Sequence, residues 1–346
     1  MLSSKAQHVN LFQIVKKVCV FPLQNPPKCD RIMLLYDSIA GEGIFMSKQL
    51  RGSFVLLLAA IIWGFAFVAQ SEGMEHVGPF TFQASRMLLA ALVLFPAAFV
   101  IHFVRKKRTG AAPHKLFSPK LILCAAISGV FLCIASAFQQ VGMLYTSVGH
   151  AGFLTALYLL MIPVLGLFFK KKVPIKLWFC ILLALVGLWF LCITGEGFAM
   201  GKGDVLMLFS ALFFSFQIMS LDLLSKDFDG VQYSAVQMLT AGLISLVCAF
   251  IFETPTVESI GAAWLPIAYA GIMSCGVAYT LQVIGQKDTH PTVASIIMSL
   301  EGVFAVLGGA LLLSQVPSHF EIIGCVLMFS ATIISQINIK LPSGRK

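Results

Sequence analysis

The chain has 346 residues, 58% of them apolar and only 11% charged, whereas a soluble domain carries about 25% charged residues; a water-soluble fold is excluded. Its formal charge of +9 invites a nucleic-acid reading, but the basic residues lie in short clusters between long apolar runs. That distribution excludes nucleic acid as a partner and makes the lipid bilayer the solvent.

Residues 1–45 contain Lys16-Lys17, Pro22 and Pro26-Pro27 but no spanning apolar run, and they read as an N-terminal extension without a cleavable signal. Gly41-Glu42-Gly43 stands just before Met46-Ser47-Lys48, as a translated ribosome-binding sequence would. The expectation is that translation starts at Met46 and that the extension is a start-site artefact.

A bilayer core of roughly 30 Å needs about 20 apolar residues per spanning helix. Ten such stretches follow, at 54–72, 79–103, 119–143, 148–169, 175–193, 204–224, 232–252, 263–286, 290–313 and 317–338. Turn residues separate them, as in Met74-Glu75-His76-Val77-Gly78-Pro79 and Glu253-Thr254-Pro255. An all-α membrane protein of ten transmembrane helices is expected. If the first helix starts in the cytoplasm, seventeen Lys and Arg lie on that side, among them Arg105-Lys106-Lys107-Arg108 and Lys170-Lys171-Lys172, against Lys202 alone outside. The positive-inside rule then puts both termini in the cytoplasm.

Internal similarity organises the ten helices into two halves. At an offset of 150, Leu56–Ser71 matches Leu206–Leu221 and brings Trp63 onto Phe213. At 151, Arg86-Met87-Leu88 falls on Gln237-Met238-Leu239, and at 143, Gln139, Thr146, Leu157 and Pro174 fall on Gln282, Thr289, Leu300 and Pro317. The expected domains are 46–195 and 196–340, each of five helices, with a tail at 341–346. Because five is odd, the second half enters from the opposite side, giving the inverted repeat common in secondary transporters.

Ala59-Ala60-Ile61-Ile62-Trp63-Gly64, Arg86-Met87-Leu88-Leu89-Ala90-Ala91 and the segment from Tyr145 to Tyr158 resemble the drug/metabolite transporter superfamily, and within it the ten-helix EamA-like permeases. Over about residues 50–340 the similarity includes Ser299-Leu300-Glu301-Gly302, where the family has Leu-Glu-Pro, and Gln315, where it often has glutamate. The resemblance implies a basket in which the third, fourth, eighth and ninth helices line a central cavity and the fifth and tenth lie outside. It also implies a permease that exports or imports small metabolites, amino acids among them; export is the favoured direction, and the chain is expected to work as monomer or homodimer in a prokaryotic cell membrane. Small-residue ridges at Ala125, Gly129, Cys133 and Ala137, and at Ala270, Ser274 and Ala278, agree with close helix packing there.

A charge at the bilayer centre costs at least about 2.5 kcal/mol, so the ionisable residues deep in the helices, Arg86 and Glu301, are the foremost candidates. At about 1.5 Å per residue, Glu301 lies roughly 16 Å in from His290, and Arg86 about 10 Å in from Pro79. Glu301 is expected to bind substrate or exchange a proton as coupling ion, or else to pair with Arg86, which reads more as an internal tether. Tyr158, matched to Glu301, and the amides Gln139 and Gln282 join them as candidates. Gln70, Gln140, Gln217 and His150 rank lower, and Trp63, Phe213 and Tyr279 are weak candidates for the cavity wall.

An intramembrane protease is the alternative from another class, since Gly201-Lys202-Gly203-Asp204 spells GxGD. Its chemistry needs a second buried aspartate, and the only Tyr-Asp pair, Tyr36-Asp37, lies in the extension. A scaffold without a solute site would need no buried charge. No nucleotide-binding loop or hydrolase motif occurs, and the nine cysteines lack paired spacing. The chain is therefore expected to be no enzyme, to bind neither cofactor nor metal, and to have a small-molecule substrate and lipid as partners.

Overall fold

The computed structural model describes residues 48–109, 115–145, 148–170, 173–192, 201–312 and 317–337. Residues 1–45, the loop around Gly195 and Gln315 lie outside these, as does Tyr36-Asp37. With no water in hydrocarbon to satisfy backbone groups, a lipid-embedded chain closes its hydrogen bonds within helices, and among the described residues every regular element is helical.

In chain order the helices are α1 (Lys48–Gly73), α2 (Pro79–Thr109), α3 (Pro119–Gly142), α4 (Val148–Ala156), α5 (Tyr158–Phe168), α6 (Ile175–Cys192), α7 (Lys202–Leu224), α8 (Gly230–Phe252) and α9 (Val257–Ala262). There follow α10 (Trp264–Ala268), a π-helix at Tyr269–Ala278, α11 (Tyr279–Lys287), α12 (Pro291–Met298), α13 (Glu301–Leu312) and α14 (His319–Gln336). Polar caps set the starts. Ser118 Oγ accepts from Leu121 N at 3.3 Å ahead of Pro119, and Asp229 Oδ1 accepts from Val231 N at 3.0 Å. Ser318 and Glu321 form a reciprocal capping box at α14.

Among the described residues, eight segments are long and apolar enough to cross a bilayer, and two shorter apolar helices, Leu154–Phe168 and Ile175–Phe190, accompany them. The expectation of uninterrupted helices at 148–169 and 290–313 is corrected. Each is broken once, at Leu157 and at Ser299-Leu300, by a tightened turn: Leu160 N donates to Leu157 O at 3.0 Å, and Gly302 N to Ser299 O at 3.2 Å. At the second break, Ser299 Oγ donates to Ile296 O at 2.8 Å, a side-chain bond that competes with the helical ladder. The eighth stretch is also not a plain α-helix, since ten of its residues are π-helical.

The molecule is turned inside out relative to a soluble protein. Gln83, Gln140, Gln217 and Gln237 are buried, whereas Phe103, Val247, Phe250 and Leu311 are exposed on helix flanks. In water such a surface would aggregate; against acyl chains it is the solvated face. The tightest neighbours are α2 with α8, α3 with α7, α3 with α8, α6 with α14, and α1 with both α11 and α13. Small residues permit these approaches. A Cβ on Gly52 would lie 2.7 Å from Gly285 O and one on Gly285 2.9 Å from Gly52 O, so α1 and α11 meet backbone to backbone.

Candidate functional site

A cavity of about 40 Å³ lies where these helices converge, room for roughly three water molecules at about 10–15 Å³ each. From α1 come Trp63, Phe67 and Gln70, whose i, i+4, i+7 spacing puts them on one face. Arg86 enters from α2, Gln139 from α3, Thr155 from α4 and Tyr158 from the first turn of α5. Phe214 and Ile218 come from α7, Ser274 from the π-helix, Tyr279 and Gln282 from α11, Met298 from α12 and Glu301 from the start of α13. The third, fourth, eighth and ninth stretches thus line it as expected, and the first, second and sixth contribute too. α6 and α14 contribute nothing and pack on each other.

The two helix breaks deliver the polar centre. Tyr158 and Glu301 are the first residues after Leu157 and Leu300, and the Tyr158 hydroxyl donates to Glu301 Oε1 at 3.4 Å. Both are buried, Glu301 to 7% exposure. Beside them Gln139 Nε2 reaches Thr155 Oγ1 at 3.5 Å, Gln282 Nε2 reaches Met298 Sδ at 3.6 Å, and Gln217 Nε2 donates to Gln282 Oε1 at 3.3 Å. The Trp63 and Tyr279 rings meet edge to face with centroids 4.9 Å apart.

Arg86 on α2 is bonded to α1 and not to Glu301. Its Nη1 donates to Gln70 Oε1 at 2.7 Å, and its Cζ lies 5.7 Å from the Phe82 ring centroid. No ion pair joins Arg86 to Glu301, although both line the same cavity; the ion pairs of the described residues include Arg105 with Asp229 and Lys226 with Asp222. Direct pairing of Glu301 with Arg86 is therefore corrected, because the Gln70 amide occupies the guanidinium instead.

Phe213 is also corrected. It does not line the cavity but packs against Phe138 and Phe216, at centroid distances of 5.8 and 5.9 Å, and Phe214 takes its place. The cause is register, since one residue turns a helix face by about 100°. An offset of 151 brings Trp63 onto Phe214 and Phe67 onto Ile218, and all four face the cavity. An offset of 143 brings Gln139 onto Gln282, Thr155 onto Met298 and Tyr158 onto Glu301, again all lining residues. Thr155, Ile218 and Met298 were not singled out from sequence; they are small or apolar, and only their matched positions could have marked them, whereas Ser274 was read as part of a packing ridge.

Asp204, the aspartate of the GxGD spelling, accepts from Gly201 N at 2.8 Å and caps its own helix. Gln237, matched to Arg86, is buried in α8. His150 lies in the first turn of α4, but its side chain is outside the described set.

The family model of EamA-like transporters matches residues 50–193 and 201–336. A relative in Archaeoglobus fulgidus named as an uncharacterized transporter is 29% identical over 311 residues, covering 89% of this chain and 92% of the relative. A WAT1-related chloroplastic protein of Arabidopsis thaliana is 25% identical, covering 88% and 72%. The YoaV protein of Bacillus subtilis, also named as an uncharacterized transporter, is 22% identical over 79% and 92%. A crystal structure superposes with a TM-score of 0.68 at 19% identity, over 83% of this chain and 96% of that one, so the fold is shared.

Proposed function

The chain belongs to the EamA-like transporter family, and from that premise we propose that it is a secondary transporter moving a small metabolite across the cell membrane by alternating access, with export favoured. The observation that carries this is the cavity itself: a carboxyl, a guanidinium and several amides gathered in the core of a multi-pass membrane protein. Polar groups in that position are costly unless a solute or water uses them. The cavity as it stands admits water and not a metabolite, so transport requires the lining helices to part, and the breaks at Leu157 and Leu300 are natural hinges for that motion. Amino acids are the leading solute class, from the family resemblance, and a proton on Glu301 is the leading coupling ion.

Ten spans in two inverted halves, with both termini cytoplasmic, complete the reading. Several observations support it. The two family-model segments divide the chain near residues 193–201; the packing of α3 on α7 has its counterpart in that of α11 on α1; and the helix breaks fall at positions 143 apart. Neither a protease nor a scaffold is favoured, since Asp204 is spent as a helix cap and a scaffold has no use for the buried charges.

The test is comparative metabolite profiling of cells that overproduce the protein and cells that lack it. Overproduction should raise the level of a defined small set of solutes in the medium. Identical profiles, with the protein confirmed in the membrane, would refute transport.

A further inference from the structure

Arg86 is a buried charge whose donors are largely unspent. The side chain is 4% exposed and a guanidinium carries five N–H donors, yet its one hydrogen bond to the described residues is that from Nη1 to Gln70, and Nε has no partner. Proteins compensate a buried cation with an anion or with a full set of acceptors. Neither is present among the described residues, and the carboxyl of Glu301, in the same cavity, does not pair with it. Gln70 supplies the reason: its single amide oxygen accepts both from Arg86 Nη1 at 2.7 Å and from Gln140 Nε2 at 2.5 Å, which pins the guanidinium between α1, α2 and α3. Held this way, Arg86 keeps its remaining donors for whatever enters the cavity it lines.

We propose that Arg86 is the anion receptor of the transport cavity, that Gln70 is its positioning residue, and that the transported solute carries a carboxylate. This rests on the cavity being the solute site. A carboxylate fits better than a phosphate because a single guanidinium faces a cavity that also holds the Glu301 carboxyl. A phosphate dianion would bring two negative charges against one positive and one acidic group. A carboxylate matches two parallel N–H groups of the guanidinium with one charge. The remainder of the solute would lie against Trp63, Tyr279 and Met298.

The discriminating variant is Gln70→Glu. If Arg86 merely ties helices together, a carboxylate at position 70 strengthens the tie and leaves transport intact. A receptor, by contrast, would then be filled from within the protein. The measurement compares solutes in the medium of cells overproducing wild type, Gln70→Glu or Arg86→Lys, at equal amounts of protein in the membrane. The expected result is that every solute raised by wild type bears a carboxylate and that Gln70→Glu lowers its flux at least about tenfold, the size of one lost charge-assisted contact. Arg86→Lys keeps the charge without the fork and is expected to raise KM for that solute about tenfold at similar maximal rate. Should Gln70→Glu fail to reach the membrane, the KM of Arg86→Lys decides. Raised solutes that lack a carboxylate, wild-type flux in Gln70→Glu, or an unchanged KM in Arg86→Lys would overturn the proposal while transport stands; no raised solute at all overturns both.

Discussion

Glu301 sits at the first residue after a helix break, with a long hydrogen bond from Tyr158 as its protein contact. A carboxyl so lightly held is free to change partners, from hydroxyl to solute amine or proton. Glu301→Gln keeps the shape and removes the charge, so it should leave the protein folded in the membrane and abolish transport or its pH dependence, whereas Glu301→Asp should keep part of the activity. Initial rates across a pH series in membrane vesicles test this, and a Gln variant with the wild-type pH profile would reduce Glu301 to a structural hydrogen bonder. Because Gln70 and not Glu301 engages Arg86, exchanging the two charges in the double variant Arg86→Glu/Glu301→Arg should not restore what either single reversal loses. Rescue by the double variant would contradict the geometry described here. Much of this was legible in the sequence, since a charge deep in an apolar run has few uses. What stayed hidden was Gln70 as the partner of Arg86, because the sequence does not show which of several buried amides meets a given donor.

At the scale of the element, α2 and α8 run side by side and are latched at both ends. At one end the Glu253 carboxylate accepts from Phe80 N and Thr81 N, each at 2.8 Å, and from Thr81 Oγ1 at 2.6 Å, capping α2 from the end of α8. At the other, Arg105 near the end of α2 reaches Asp229 Oδ2 at 2.6 Å, and Asp229 caps α8. The first latch is the stronger, since it satisfies two orphan amides and a hydroxyl with one charge. Glu253→Ala should lower stability by about 1–3 kcal/mol, read as an earlier melting transition of the detergent-solubilised protein. Gly78→Ala should act similarly, because a Cβ there would fall 2.3 Å from the Glu253 carboxyl carbon. Melting unchanged in both variants would contradict the latch. The element boundaries themselves followed from hydropathy and turn residues. The breaks at Leu157 and Leu300 did not, because the first turn holds neither proline nor glycine and Gly302, which closes the second, is one of many glycines in the apolar runs. Nor did the face of α7 presented to the cavity, where an offset wrong by one residue exchanged Phe213 for Phe214.

For the whole molecule, the proposed ten-span topology sets the basic clusters on one side of the membrane and leaves the buried polar groups around the cavity. A reporter fused after Arg108 should be cytoplasmic and one after Gly195 external; both on one side would sink the ten-span topology. The central claim is that this cavity opens to each side in turn. Ser274, small and on the cavity wall within the π-helix, is suited to test it as Ser274→Cys in a chain whose native cysteines are replaced by serine. A membrane-impermeant maleimide should label that cysteine in right-side-out and in inverted vesicles alike, and the transported solute should slow labelling from both sides. Labelling from one side only, or from neither, would contradict alternating access.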